Sequence, residues 1–487
     1  MEQLTLEMKS IEVTYLDRNI LEIPYLSVYQ YDRIGIVGKN GSGKTTLLKL
    51  MYGDIYPLKG SVSKQIDFGY FEQKKVPETR QADGELLSRL SVPNEDVNHL
   101  SGGEQTRLKL AQLFSTYYEG MLIDEPTTHL DSEGIDFLID QLMYYYGALI
   151  IISHDRYLLD QLVTKIWEVE DGTVTEYVGN YSDYESQKQL AHEQHIQAFE
   201  QYKKEKQRLI QAADEKMKQA EKVNQANHSM SKKEAKAKAN RMFMTKSKDT
   251  SQRNIHRQAK AIEQRITQLG EVKTPEVDRM HYFPQSKILQ MHNKYPIMGD
   301  RVSLSVDGKR LLTHASFQFP LGQIIAIDGR NGSGKTVLLK HIVSNGEGIV
   351  LSPNVSFGVY HQHNYLLEGV QTVLAFMNEN SVYAESKVRT VLHSMGFEGN
   401  DLQKSVMTLS GGESIRLILC QLFLGSDNVL ILDEPTNFLD IKAIQALESF
   451  LHAYEGTVLL VSHDRTFVKR VADHIFKIEE QQIKQVK

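Results

Sequence analysis

The chain has 487 residues, 41% hydrophobic and 24% charged, with a formal net charge of −6. That is the balance of a folded protein of about two to four domains, and it excludes wholesale disorder and a global nucleic-acid signature. The single cysteine, Cys420, excludes a disulfide scaffold, a zinc cluster and a multi-cysteine iron–sulfur site, and suits a reducing compartment.

In chain order, the apolar run YDRIGIV leads into GKNGSGKTT, which opens at Gly38 and is followed by the helical stretch LLKLMYG. Strand, glycine-rich loop and helix are the context that confirms a P-loop, G-x-x-x-x-G-K-[ST]. Gly38, Asn40, Gly41, Ser42, Gly43, Lys44, Thr45 and Thr46 are the predicted phosphate cradle: backbone N–H groups curl around phosphate oxygens at a helix N-terminus. Lys44 is expected to reach the β- and γ-phosphates and Thr45 to hold Mg²⁺. LSGGEQTRL then places Ser101, Gly102 and Gly103 before a helix, a second anion site. A domain with a P-loop already has one, so this second site suggests service to nucleotide held by another domain. MLIDE is a buried strand ending in Asp124, suited to the Mg²⁺ shell, and Glu125, suited to polarising an attacking water. IISHDR follows, with His154.

The set then recurs. GRNGSGKTV opens at Gly329 and repeats the cradle with Asn331, Gly332, Ser333, Gly334, Lys335 and Thr336; LSGGESIRL supplies Ser410, Gly411 and Gly412; LILDE ends in Asp433 and Glu434; LVSHDR holds His463. The phosphate loops are displaced by 291 positions and the signature serines and histidines by 309, so the copies are collinear apart from about 20 extra residues in the second, between glutamine and signature.

Between the copies, residues 185–223 contain no glycine or proline. Phe199, Tyr202, Leu209, Ala213, Ala220 and Val223 sit at heptad-type spacing, with Lys206 and Lys216 interrupting the seam; Ile255, Ala259, Ile262, Ile266 and Leu269 form a second seam ended by Gly270 and Pro275. A helical hairpin is predicted, its first helix ~35–40 residues and roughly 50–60 Å long. From Lys222 to Lys260 eleven basic residues oppose two acidic ones, a net of +9, leaving −15 on the rest. The cluster includes Lys232, Lys233, Lys236, Lys238 and Arg241, and Met242, Phe243 and Met244 set apolar side chains among the cations. Such a tip suits salt-sensitive RNA contact, an aromatic ring for stacking and methionines for an irregular surface; a solvated helix face is the plainer alternative.

P-loop, glutamine loop, signature, DE pair and histidine in this order resemble the ATP-binding-cassette superfamily. The resemblance implies an α/β fold: two P-loop NTPase cassettes, 1–184 and 286–487, joined by a long α-helical hairpin linker, 185–285. It implies that two ATP molecules, each with Mg²⁺, are sandwiched between the P-loop of one cassette and the signature of the other, in a monomer whose cassettes dimerise intramolecularly. Gln73 of FGYFEQ and Gln362 of FGVYHQ would touch metal and attacking water, and His154 and His463 the γ-phosphate; Asp131 and Asp440 would lie at the interface. Tyr15 stands where the family stacks an aromatic on adenine, and Val306 takes that place in the second copy.

No apolar run approaches the ~18–20 residues that cross a bilayer, and MEQLTLEMKS carries no basic-then-apolar signal pattern, so a cytoplasmic protein without a membrane partner is expected. Two cassettes in one chain with a charged linker, and VGNYSDYESQK at Val178–Lys188, resemble the ABC-F branch, which acts on ribosomes. Gln73 and Ser101 are 28 positions apart, too close for the inserted arm of housekeeping members, and no C-terminal extension is expected beyond Lys487. These features resemble the Msr, Vga and Lsa group of antibiotic-resistance factors. The implied function is ribosomal protection by an ATPase bound near the tRNA exit site of the large subunit. Its linker tip would contact rRNA and P-site tRNA and free the drug. A housekeeping ABC-F translation factor is the alternative.

Overall fold

The computed structural model describes residues 3–15, 18–73, 75–231, 257, 258, 260–262, 264, 265, 267–269, 272, 283, 291–306, 308–360 and 369–487, with backbone alone at 18, 220, 221 and 223–231. They form two compact units, Met1–Tyr184 with Arg279–Lys487, and Glu185–Asp278.

In the first unit one design is laid down twice. The first six-stranded sheet runs Phe68–Phe71, Gly120–Asp124, Ala148–Ile152, Arg33–Val37, Lys165–Glu170, Thr173–Val178. The second runs Phe357–Tyr360, Val429–Asp433, Thr457–Val461, Ile324–Asp328, His474–Glu479, Gln482–Gln485. In both, five strands are parallel and the last is antiparallel. A three-stranded antiparallel sheet accompanies each: Arg18–Tyr29, Leu4–Tyr15, Lys59–Lys64 in the first and Lys309–Phe319, Ile297–Val306, Ile349–Leu351 in the second.

The central strands have no polar face because both their faces are covered. All five residues of Gly120–Asp124, Ala148–Ile152, Val429–Asp433 and Thr457–Val461 are buried. Parallel strands clad on both sides read as continuous apolar runs, and MLID, ALIII, VLIL and TVLLV do. Alternation then sends Ile150 and Ile152 into a core with Leu47, Leu48 and Trp167, and Leu149 and Ile151 into another with Leu108, Leu138 and Leu159. Ile441 of the second cassette is buried in this latter core. The strand Arg33–Val37 lies between Ala148–Ile152 and Lys165–Glu170. The loops after Val37, Asp124 and Ile152 therefore leave neighbouring carboxyl ends of one sheet, where parallel α/β folds place their ligands.

The long helix differs from expectation. It spans Tyr181–Ser231, 51 residues, about 75 Å at 1.5 Å per residue. Its earlier start has a local cause. Asn180 N–H donates to Asp183 Oδ2 at 3.1 Å and Asp183 N–H to Asn180 Oδ1 at 3.0 Å, a reciprocal cap. Within Glu185–Asp278, Leu209 and Ala213 are buried and Phe199, Tyr202 and Lys206 half-buried, at the predicted seam spacing. Lys206 sits in that seam with its ammonium donating to Tyr202 Oη at 3.2 Å. Backbone at 257, 258, 260–262, 264, 265, 267 and 268 is helical. Ile255, Ala259 and Ile266 lie outside the described residues, as do all eight predicted tip residues, Lys232 through Met244. Among the described residues no helix is long and apolar enough to cross a membrane.

Phe283, just ahead of the second cassette, packs on Phe423 and Phe450 of that cassette in a buried aromatic triangle, with ring centroids 5.4–5.5 Å apart. Truncating Phe450 leaves a cavity that its neighbours cannot refill. Phe450→Ala should destabilise that cassette by ~3–5 kcal/mol, read as a lowered urea midpoint.

Candidate nucleotide site

Gly43 ends the first phosphate loop at φ 103°, a conformation that costs other residues their Cβ clearance, and it starts the helix Lys44–Tyr52; Gly334 does the same at φ 101° for Lys335–Val343. Each loop lysine is buried and folds back over its loop. Lys44 Nζ donates to the carbonyls of Gly38 and Lys39 at 2.8 and 2.9 Å, Lys335 Nζ to those of Gly329 and Arg330 at 2.6 and 3.1 Å. Burial lowers both ammonium groups below the usual lysine range. Thr45 Oγ1 donates to Asp124 Oδ2 at 2.9 Å, so the hydroxyl and carboxylate predicted to share a cation are already adjacent. The buried hydroxyls of Ser42 and Ser333 have no hydrogen-bond partner among the described residues. Lysine, orphan hydroxyl and loop N–H groups together suit a triphosphate, and the Thr–Asp pair suits Mg²⁺, which takes few protein oxygens and completes its shell on phosphate and water.

The two acids after each strand behave alike. Glu125 and Glu434 both adopt left-handed backbone, φ 48° and 53°. Non-glycine residues carry that conformation at a cost of order 1–3 kcal/mol, and here it recurs at the same motif position in both cassettes. Glu125 N–H is held by Ile152 O at 2.9 Å, and Glu434 N–H by Val461 O at 2.8 Å. Each carboxyl faces a histidine: Nε2 of His154 is 3.4 Å from Glu125 Oε1, and Nε2 of His463 is 3.3 Å from Glu434 Oε1. Burial pushes both glutamates up to about 7. Burial pushes His154 down to about 3 and His463 to about 4. Neutral imidazole therefore meets a carboxyl poised between its two forms, and neither contact is an ion pair at neutral pH.

The signatures are capped helices. Ser101 N–H donates to Glu104 Oε2 at 2.7 Å and Ser101 Oγ to the same oxygen at 2.6 Å; Ser410 and Glu413 repeat this at 2.8 and 2.7 Å. Their serine hydroxyls are thus held by the helix's own glutamate.

The cassettes meet through their phosphate loops. Asn40 N–H donates to Asp440 Oδ2 at 2.9 Å and Asn40 Nδ2 to Phe438 O at 3.0 Å; Asn331 N–H donates to Asp131 Oδ2 at 3.1 Å. Against the upward push of burial, these N–H donors help to hold Asp131 and Asp440 below the ordinary carboxylate range. A side chain at Gly412 would place its Cβ 3.6 Å from Asn40 Nδ2, so the second signature abuts the first phosphate loop. One cavity of about 2020 Å³ is lined by Lys44, Thr45, Thr46, Gln73, Asp124, Glu125 and His154 from one cassette and by Lys335, Thr336, Asp433, Glu434 and His463 from the other. Ser101, Gly103, Ser410, Gly411 and Gly412 also face it, as do Asn40, Gly41, Gly43, Asn331, Gly332 and Gly334. Gly38, Ser42, Gly102, Gly329 and Ser333 belong to the same loops without lining it, and Gln362 lies outside the described residues. Tyr15 lines the cavity with its ring largely exposed; Val306 lines it as well.

Several lining residues escaped the sequence reading. Arg107 and Arg416 stand six positions after the signature serines, and their recurrence in both copies was the signal. Tyr56, 86% exposed, lines the cavity with Tyr15 and has no counterpart in the second copy's lining. His129 and Phe438, at equivalent positions, meet edge-on across the interface with centroids 6.1 Å apart.

A family profile described as ABC transporter matches residues 21–128 and 312–437. Erythromycin resistance ATP-binding protein MsrA of Staphylococcus epidermidis is 40% identical, covering 99% of both chains. Ribosome protection protein VmlR of Bacillus subtilis is 33% identical over 97% of this chain and 86% of its own. The RNase-L Inhibitor structure shares the fold, with TM-score 0.64 at 18% identity over 98% of this chain and 90% of that one.

Between pH 4.5 and about 7 the folded chain keeps protons on Glu125 and Glu434 that the unfolded chain releases. Nucleotide-free stability must therefore fall as pH rises through that window. The double variant Glu125→Gln/Glu434→Gln should flatten this fall, measured as a smaller drop in urea midpoint between pH 5 and pH 8.

Proposed function

Because this chain belongs to the ABC-F branch of the ATP-binding-cassette ATPases, in its antibiotic-resistance, ribosome-protection group, we propose that it binds the large ribosomal subunit with ATP clamped between its cassettes and protects the ribosome from drug. The observation that carries this reading is the reciprocal contact of each phosphate loop with the opposite cassette, around a cavity holding both sets of motif residues. ATP hydrolysis is the family's reaction.

In this reading 1–184 and 286–487 are the cassettes and 185–285 the linker. There are two ATP sites. One is built on Lys44 and closed by Ser410, Gly411 and Gly412; the other is built on Lys335 and closed by Ser101, Gly102 and Gly103. Loop N–H groups and the two lysines bind the β- and γ-phosphates, and Tyr15 stacks on the adenine of the first site. Thr45, Gln73 and Asp124, and Thr336, Gln362 and Asp433, would hold Mg²⁺. The bound metal would supply positive charge against the phosphates. Glu125 and Glu434, in carboxylate form, accept a hydrogen bond from the attacking water and orient it. His154 and His463, kept neutral by burial, donate a ring N–H toward the γ-phosphate. ATP favours the closed arrangement because only there are its contacts complete. The VmlR name supports the ribosome as partner. The linker segment with Lys232, Lys233, Lys236, Lys238, Arg241, Met242, Phe243 and Met244 is the part proposed to reach rRNA and the P-site tRNA end and displace the drug.

Glu125→Gln/Glu434→Gln should lower ATP turnover by roughly 10²–10⁴-fold, the usual worth of a positioned base. It should also hold the chain on ribosomes in co-sedimentation with ATP. Wild-type turnover in that variant refutes the base assignment, and no co-sedimentation in either ATP or a non-hydrolysable analogue refutes the ribosomal reading.

Replacing Met242, Phe243 and Met244 with alanine should leave ATPase activity intact and lower the inhibitory concentrations of ribosome-targeting drugs in an expressing host. Wild-type chain that alters none of them, across macrolides, lincosamides, streptogramins and pleuromutilins, would favour a translation factor without a drug role.

A further inference from the structure

Two arginines outside the nucleotide chemistry also tie the cassettes together. Arg156 and Arg465 each follow the motif histidine by two positions. Arg465 spans the interface in the open. Its Nη1 and Nη2 donate to Asp136 Oδ1 and Oδ2 at 2.7 and 2.6 Å and Nη2 to Ser132 O at 3.1 Å, with the side chains 36% and 50% exposed. Arg156 spans it in the dark. It is 1% exposed, its Nη2 donates to Glu448 Oε1 at 2.5 Å, and Asp464 Oδ2 stands 3.7 Å away.

The two crossings break the duplication. Shifting by the 309 positions that relate the copies from the signature onward, Asp136 corresponds to Gln445, and Glu448 corresponds to Ile139, an apolar core residue. The acid has moved one helical turn, from the rim to the buried flank of the helix Ile441–Ala453. Glu448 also stands 3.4 Å from Arg470 Nη1, and Nε and Nη1 of Arg156 have no hydrogen bond among the described residues. The charge of Arg156 is therefore balanced by carboxylates of the other cassette.

Each arginine closes a ring around one site. Asn40 of the first phosphate loop bonds Asp440, which caps the helix Ile441–Ala453, which carries Glu448 to Arg156, beside His154. Asn331 bonds Asp131, which caps Ser132–Met143, which carries Asp136 to Arg465, beside His463. To part the first ring, a buried ion pair must separate before water reaches it, where attraction is several-fold stronger than at the surface. Loss of one partner in such a pair shows mainly in the dissociation rate. The second ring parts through a hydrated pair that salt screens.

We propose that Arg156 and Glu448 form a lock across the cassettes that makes the site built on Lys44 and Ser410 the slow-opening one, with Arg156 a positioning residue for that site. This rests on the two-site ATPase reading above. It predicts unequal nucleotide lifetimes within one closed molecule, set by a buried pair in one ring and an exposed pair in the other.

The test uses the full chain carrying Glu125→Gln/Glu434→Gln, loaded with Mg²⁺ and a fluorescent ATP analogue, then chased with excess ATP. Two nucleotides per chain should leave in two phases. Glu448→Gln should speed the slow phase at least tenfold and leave the fast phase within twofold; Glu448→Asp, which keeps the charge, should fall between. Asp136→Asn, or raising KCl from 50 to 500 mM, should speed the fast phase alone. Should Glu448→Gln fold poorly, Arg156→Met/Glu448→Leu keeps the interior apolar and must also abolish the slow phase. Failure to retain two nucleotides overturns the two-site reading itself. Two nucleotides leaving in one phase, or a slow phase that Glu448→Gln does not move, overturns the lock and leaves that reading standing.

Discussion

Neither phosphate loop is complete within its own cassette. The N–H of Asn40 is taken by Asp440 and that of Asn331 by Asp131, residues 400 and 200 positions away. Those aspartates serve twice, since their other oxygens cap the helices Ile441–Ala453 and Ser132–Met143 through Ala443 and Gly134. A carboxylate that accepts N–H groups from a helix start and from the opposite loop is held charged, and it fixes the distance between the two. Movement of either helix is thereby movement of the other cassette's cradle. From this constraint follow the shared cavity, the approach of Gly412 to Asn40 and the placing of each arginine crossing on one of these helices.

The acids bear the cost of this arrangement. Glu125 and Glu434 sit at strained φ and in surroundings that disfavour their charge. Strain that recurs at matched positions in two diverged copies is not an accident of one loop. It turns each carboxyl off its strand toward the histidine of the neighbouring one, across the gap between Asp124 and Ile152 in one cassette and Asp433 and Val461 in the other. Burial adds poise, since a group near neutrality in both forms can accept a proton without a large penalty for either state.

Much of this was legible because it was written twice. P-loop, signature, acid pair and histidine recur in order, and chemistry demands particular residue types at each place, so the motif side chains could be gathered before their geometry was seen. Backbone strain at Glu125 has no sequence signal, because glutamate is a poor candidate for φ above zero. Tyr56 was hidden for the opposite reason: it belongs to one copy only, so no repeat pointed to it. Glu448 was hidden because its counterpart is Ile139, and a motif search rewards sameness where the structure uses difference. The start of the long helix was missed because Asn180 and Asp183 lie inside a motif read as a family mark rather than as a helix cap.

That motif has a mechanical meaning of its own. Ser182 donates its N–H to Asp160 Oδ1 at 2.7 Å and its hydroxyl to Asp160 Oδ2 at 2.8 Å. Asp160 belongs to the helix Arg156–Leu162, which begins one residue after Asp155 and two after His154. Tyr184 Oη and Tyr177 Oη both donate to Glu168, at 2.8 and 3.1 Å, on the strand beside the phosphate-loop strand. The first turn of the Tyr181–Ser231 helix is therefore bonded to the element that follows the histidine and to the sheet beneath the cradle. A change in how the histidine helix is held therefore also changes the hydrogen bonds that fix residues 181–184, the root of the long helix within the first unit.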